Sequence, residues 1–183
     1  VQFSEASEEE VRCLYVDKKG RTWVADKNGY VRVGDRFLTP KGELSTAPVA
    51  FGQNVYCILE DSRGDLWLGA KPEGLTRLKA SKTADGYIVK RYVHDENSPN
   101  SLSCNNIYDI VEDRQQRLWI ATYNGGLNMY DLRQQHDVFV HRDNGLSGWP
   151  ADQESNKMRC LYITAEQVLM AGTQNGLFTC SLE

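Results

Sequence analysis

Short apolar runs rich in β-branched and aromatic residues recur along the chain, each followed by a polar turn and a second run ending in a large side chain. Four segments align: VRCLYVDKKGRTW at 11–23, VYCILEDSRGDLW at 55–67, IYDIVEDRQQRLW at 107–119 and MRCLYITAEQVLM at 158–170. In each, an apolar residue stands 12 positions before a Trp or Met, and those residues, at 23, 67, 119 and 170, are 44, 52 and 51 apart. A small-residue turn follows every time: ADKNG at 25–29, GAKPEG at 69–74, ATYNGG at 121–126 and GTQNG at 172–176. The apolar runs are strand-like. Asp17 with Gly20 and Asp61 with Gly64 form turns in which the carboxylate caps its own backbone. Asn28-Gly29, Asn124-Gly125 and Asn175-Gly176 are hairpin signals. A third strand is expected at 127–130, and outer strands at 87–92 and 138–141. No segment sustains a 3.6-residue period, so almost no helix is expected.

Strands and tight turns in units of this length predict an all-β fold, a β-propeller with four-stranded antiparallel blades. The repeats lie near 11–54, 55–106, 107–157 and 158–183, and together they make 1–183 a partial propeller of about four blades. The fourth copy ends after its third strand, so residues 1–3 are expected to be the last strand of a preceding blade. They either close a small ring against the fourth copy or belong to an open arc with exposed edges, and the arc is favoured.

Hydrophobic residues form 40% and charged residues 25% of the 183, ordinary for a globular protein. The formal net charge of -4 gives no electrostatic reason to expect nucleic acid as a partner. No apolar run approaches the roughly 20 residues that cross a bilayer. The polar, acidic start at 1–10 does not read as a signal peptide, and a first residue of Val suggests a removed leader or a piece of a longer protein.

Candidate chemistry divides into repeated and unrepeated residues. Trp23, Trp67 and Trp119 recur at one repeat position, as blade-packing residues should. Cys13, Cys57 and Cys160 share another, where the third copy carries Asp109. Small buried thiols are the expected reading, with a metal site or disulfide as alternatives, and five cysteines cannot all pair. Asp109 is singled out as a carboxylate directed at a central channel. The Asp17, Asp61 and Asp113 series lacks the alternating oxygen ligands of a calcium loop and reads as turn capping. No metal and no cofactor are expected.

Function in such a fold resides in loops. One face is expected to present Tyr123 and Asn124 from a hairpin turn beside the loop at 144–150, which holds Trp149. Trp149, the only Trp outside the repeat position, either stacks on a sugar ring or plugs a sheet edge. Tyr123, Asn124, Trp149 and Asp109 are the candidate ligand-binding residues, and no catalytic residues are assigned. His94, His136 and His141 carry the enzyme alternative.

The segments VYCILEDSRGDLWLGA (55–70) and IYDIVED…LWIATYNGGL (107–127) resemble the two-component regulator propeller repeat, and 98–106 resembles that family's linker between blades. The first and fourth copies depart from the pattern, with Asp26 where Thr is usual, Thr164 at the turn Asp and Met170 at the Trp. The resemblance implies the periplasmic sensor region of a membrane-bound hybrid histidine kinase/response regulator, often tuned to glycans and usually with more blades. The expected function is therefore a ligand-sensing ectodomain fragment responding to a saccharide. The expected partners are other propeller blades or a second copy, in a parent protein that spans the membrane. A lyase-like propeller enzyme and a protein-interaction propeller are the alternatives.

Overall fold

In the computed structural model, which describes Gln2 and residues 9–182, each repeat folds into its own antiparallel sheet. The first blade comprises β1 (Val11–Val16), β2 (Thr22–Asp26), β3 (Val31–Val33), β4 (Arg36–Leu38) and β5 (Leu44–Ser45). The second comprises β6 (Val55–Glu60), β7 (Leu66–Ala70), β8 (Gly74–Ala80) and β9 (Tyr87–Tyr92). The third contains β10 (Ile107–Glu112), β11 (Arg117–Thr122), β12 (Gly126–Asp131) and β13 (Phe139–Val140), and the fourth β14 (Met158–Ile163), β15 (Val168–Thr173) and β16 (Gly176–Ser181). No helix occurs among the described residues. The fold is an all-β set of propeller blades.

The blades are not uniformly four-stranded as the sequence suggested. In the first, Gly34 adopts φ +61° and turns the chain back after only three residues of β3, so the outer part splits and the blade has five strands. The outer strand of the third blade shrinks to Phe139–Val140, and the fourth shows three strands among the described residues. The strand expected at 1–3 rests on Val1 and Phe3, which lie outside the described residues.

One constellation recurs in the first three blades. Oδ1 of Asp17 accepts the backbone N–H groups of Lys19 (3.0 Å) and Arg21 (2.9 Å), and its Oδ2 accepts the Trp23 indole N–H at 2.9 Å. Asp61 does the same for Arg63, Asp65 and Trp67, and Asp113 for Gln115, Arg117 and Trp119. The Asp and Trp series, distinct in the sequence reading, are thus one unit in which a buried carboxylate closes a turn and satisfies an otherwise orphaned indole. A guanidinium covers each ring: Arg21 over Trp23 at 5.9 Å, Arg77 over Trp67 at 5.2 Å and Arg117 over Trp119 at 5.4 Å. In the second blade Asp65 occupies the position of Arg21 and Arg117, so the arginine comes instead from the cross-strand partner of Trp67. The fourth copy lacks both members together. Thr164 closes its turn by accepting the Val168 N–H, and the apolar Met170 requires no acceptor.

The Glu-Asp dipeptide acquires a second meaning across blades. While Asp61 and Asp113 hold their own Trp, Glu60 accepts the Lys18 N–H at 2.6 Å and Glu112 the Ser62 N–H at 2.7 Å, both from the preceding blade's turn. The inner strands β1, β6, β10 and β14 therefore lie side by side in chain order, with apolar clusters between successive blades.

Among the described residues the arc is open at both ends. Leu14 is 67% exposed, whereas its counterparts Ile58, Ile110 and Leu161 are 5–7% exposed beneath a neighbouring blade. On the fourth blade Leu177 is 60% exposed, against 0% and 5% for Leu75 and Leu127.

Two outcomes test the Asp–Trp unit. Asp61→Thr and Trp67→Met, which copy the fourth repeat, are each expected to destabilise the fold by about 2–4 kcal/mol, and the double variant by at least about 1 kcal/mol less than their sum. Chemical denaturation of the four proteins measures this coupling, and strict additivity would refute it. For Asp17, burial pushes the carboxyl upward, but hydrogen bonds from the Trp23 indole and from Arg21 outweigh it and hold the group below its ordinary value. A depressed carboxyl contributes stability above its unfolded value of about 3.8 that is lost as pH falls through the folded value. Asp17→Asn is therefore expected to flatten the acid limb of a Tm-against-pH profile.

Candidate functional site

Every first strand slips register between its first and third residues, at Val11/Cys13, Val55/Cys57, Ile107/Asp109 and Met158/Cys160. The residue inside each bulge has no cross-strand partner, which re-aims its side chain. These residues are Arg12, Tyr56, Tyr108 and Arg159. A second series stands beside them. Lys27, Lys71, Tyr123 and Gln174 each follow a second strand, and each donates its backbone N–H to the residue just before the bulged strand, namely Glu10, Asn54, Asn106 and Lys157. The two series therefore emerge at the same end of the blades.

Between the second and fourth blades they form a continuous aromatic track. Tyr56 and Tyr108 lie 5.1 Å apart and Tyr108 and Tyr123 5.7 Å apart, centroid to centroid. Lys71 Nζ donates to the Tyr108 hydroxyl at 3.1 Å and lies 5.4 and 5.7 Å from the Tyr108 and Tyr123 rings. The Arg159 guanidinium covers the same two rings at 5.2 and 4.6 Å. Gln174 donates its side-chain N–H to the Tyr123 hydroxyl at 3.2 Å. The hydrogen bond to Tyr108 raises the Lys71 amine above its ordinary value, so this cation stays charged.

The four residues singled out from sequence occupy three environments. Tyr123 belongs to the track, and Asn124 is exposed beside it at φ +85° with its N–H bonded to the Asn156 carbonyl at 2.9 Å. Asp109 is half-buried and spans two blades. Its Oδ2 accepts the Leu161 N–H at 2.7 Å and its Oδ1 accepts its own neighbour's, that of Ile110, at 2.9 Å. Burial raises its carboxyl above the ordinary value, against the pull of those two N–H groups. After burial, its charge is a further influence that raises the Cys13 and Cys57 thiols. Burial pushes the Cys13 thiol up to about 11, and all five cysteines are free. No group of three His, Cys, Asp or Glu side chains converges on a metal-binding point among the described residues.

Trp149 is half-buried, packs on Phe178 at 5.4 Å and donates its indole N–H to Asn156 at 3.0 Å. With Trp119, Leu127, Leu169 and Phe178 it lines an apolar cavity of about 410 Å³. This space adjoins Trp119 where, for Trp23 and Trp67, the next blade supplies Tyr87 and Tyr130. The cavity is thus a feature of blade packing. His94 contacts the Leu102 carbonyl through its ring, while His136 is exposed and His141 belongs to another loop, so the three histidines form no shared site.

Sequence reasoning missed Tyr56, Tyr108, Arg159 and Lys71. The aligned segments already held the signal: the second position reads Arg, Tyr, Tyr, Arg inside an otherwise apolar and regular frame. A test of the turn lies at Gly126, whose φ is +70° and where a Cβ would come within 2.3 Å of Asn156 Oδ1 and 2.7 Å of the Trp149 indole nitrogen. Gly126→Ala is expected to displace Trp149 and cost about 1–3 kcal/mol. A red-shifted indole emission with lowered Tm would report it, and unchanged emission would exclude it.

Comparison with known proteins fits this geometry. The family profile described as "Two component regulator propeller" matches residues 51–71 and 101–124. A histidine kinase, P4, from Formosa agariphila is 32% identical over 92 residues, which is 50% of this chain and 6% of the kinase. Extracellular domains described as belonging to hybrid two-component systems of B. thetaiotaomicron superpose with TM-scores of 0.67 and 0.65. Their identities are 18% and 20%, over 100% and 93% of this chain and 25% and 21% of theirs. Virginiamycin B lyase from Staphylococcus aureus superposes less closely, with a TM-score of 0.58 at 14% identity, over 97% of this chain and 57% of the lyase. The chain thus spans a small part of the curated kinase and about a quarter or less of the two extracellular domains. Matching profile, recurrent Glu-Asp turns and separate blade sheets agree: within a fold of propeller blades, residues 51–71 and 101–124 match the two-component regulator propeller repeat.

Proposed function

We propose that this chain is part of the ligand-sensing extracellular region of a membrane-bound hybrid two-component sensor, facing the periplasm, and that its ligand is a saccharide. The observation that carries the reading is the track of Tyr56, Tyr108 and Tyr123 on bulge and turn positions, with the exposed amide of Asn124 beside it. Flat aromatic faces stack on the apolar faces of sugar rings, and amides and phenols exchange hydrogen bonds with their hydroxyls. The similarity to a histidine kinase and to extracellular domains of hybrid two-component systems supports the sensor assignment. In this reading the fragment performs no catalysis itself.

The exposed ends of the arc take further blades of the same repeat, from the parent chain or a second copy. The reason is that counterparts of Leu14 and Leu177 are buried by exactly such a neighbour inside the arc.

The test uses the parent protein with a reporter of its kinase output and a panel of saccharides. At least one saccharide is expected to change the output, and Tyr123→Ala to weaken the response by about tenfold or more, the worth of one lost stacking contact. An output indifferent to every saccharide would overturn the reading.

A further inference from the structure

The track carries more charge than a neutral sugar would need. Lys71 and Arg159 lie over the same two tyrosine rings, so two like charges share one small surface. Neither is paired with a carboxylate among the described residues, and Arg159 lowers the proton affinity of Lys71. Arg12 differs, since Glu10 neutralises it at 3.2 Å. The chain as a whole has a formal charge of -4, so this positive spot stands against an acidic background. The phenols are also poised. Tyr108 accepts from Lys71 and Tyr123 accepts from Gln174, which leaves both O–H protons free to donate outward.

Two cations without a carboxylate partner among the described residues, with two phenol donors around stacked rings, match an anionic group attached to a flat, hydroxylated ring. Solvent alone could screen the two cations, but that would leave the convergence of both on the same rings without a role. We propose that the bulge track binds an acidic saccharide, with its carboxylate or sulfate between Lys71 and Arg159 and its ring on Tyr108 and Tyr123. The inference rests on the reading of the ligand as a saccharide and deepens it by naming the charge class.

Calorimetric titration of the full chain with an oligogalacturonate, a sulfated galactan oligosaccharide and a neutral galactan of equal length tests it. At least one acidic ligand is expected to bind tenfold or more tightly than the neutral one, with affinity falling as salt rises. The uronate and the sulfated arms identify which anion is preferred. Lys71→Ala and Arg159→Ala are each expected to lose about tenfold for the acidic ligand, with Arg159→Lys recovering part of the loss. Both side chains are outside the buried core, so the unfolding midpoint should hold and separates lost binding from lost folding. Equal binding of neutral and acidic ligands, or full acidic binding by the Lys71→Ala/Arg159→Ala variant, would overturn the charge assignment and leave saccharide sensing in place. Failure of all three oligosaccharides to bind would overturn this inference, while the saccharide reading itself stands or falls with the full panel.

Discussion

The hydrogen bond from a buried tryptophan indole to the carboxylate that also closes its turn is the constraint on which each blade depends. Burying an indole ring is favourable only if its N–H finds an acceptor, and burying a carboxylate is tolerable only if several donors meet it. In Asp17, Asp61 and Asp113 the two requirements answer one another within six residues of chain. The turn thereby fixes the start of the second strand, and that strand carries the ring into the space between blades. A guanidinium over each ring completes the arrangement; Arg21 and Arg117 also pair with the turn carboxylates Asp17 and Asp113, whereas Arg77 pairs with Asp65.

The same turns join the blades. Glu60 and Glu112 reach back to the turn of the preceding blade, so each Glu-Asp pair divides its work between neighbour and self. At the opposite end, Asp109 bridges the third and fourth blades through the Leu161 N–H. The third and fourth blades are therefore tied at both ends of their inner strands, by the Arg114 N–H to Gln167 at one and by Asp109 at the other.

Much of this frame was legible in the chain. Fixed spacing from Val55 to Trp67 and from Ile107 to Trp119, with turn residues between, dictates two strands and a tight connection. The joint replacement of Asp by Thr164 and of Trp by Met170 even held the clue that these positions act together. The five strands of the first blade were less legible, because Gly34 followed by Asp35 is a turn signal embedded in a run that otherwise reads as one strand. The site divided more sharply. Tyr123 stands out by its turn, but Tyr108 comes beside it across the paired first and second strands of the third blade and Arg159 from the next blade, which periodicity along one strand does not reveal. Trp149 drew notice as an unrepeated aromatic, and its indole proves committed to Asn156.

A bulged residue answers to no partner across the sheet. Among the described residues, no cross-strand pairing and no Asp–Trp unit involves Arg12, Tyr56, Tyr108 or Arg159. Each blade thus offers one position whose chemical character can be rewritten without renegotiating the architecture. If the track is the ligand surface, a propeller assembled from such blades reads as a short word, one letter per blade, written outside the bonds that fold it.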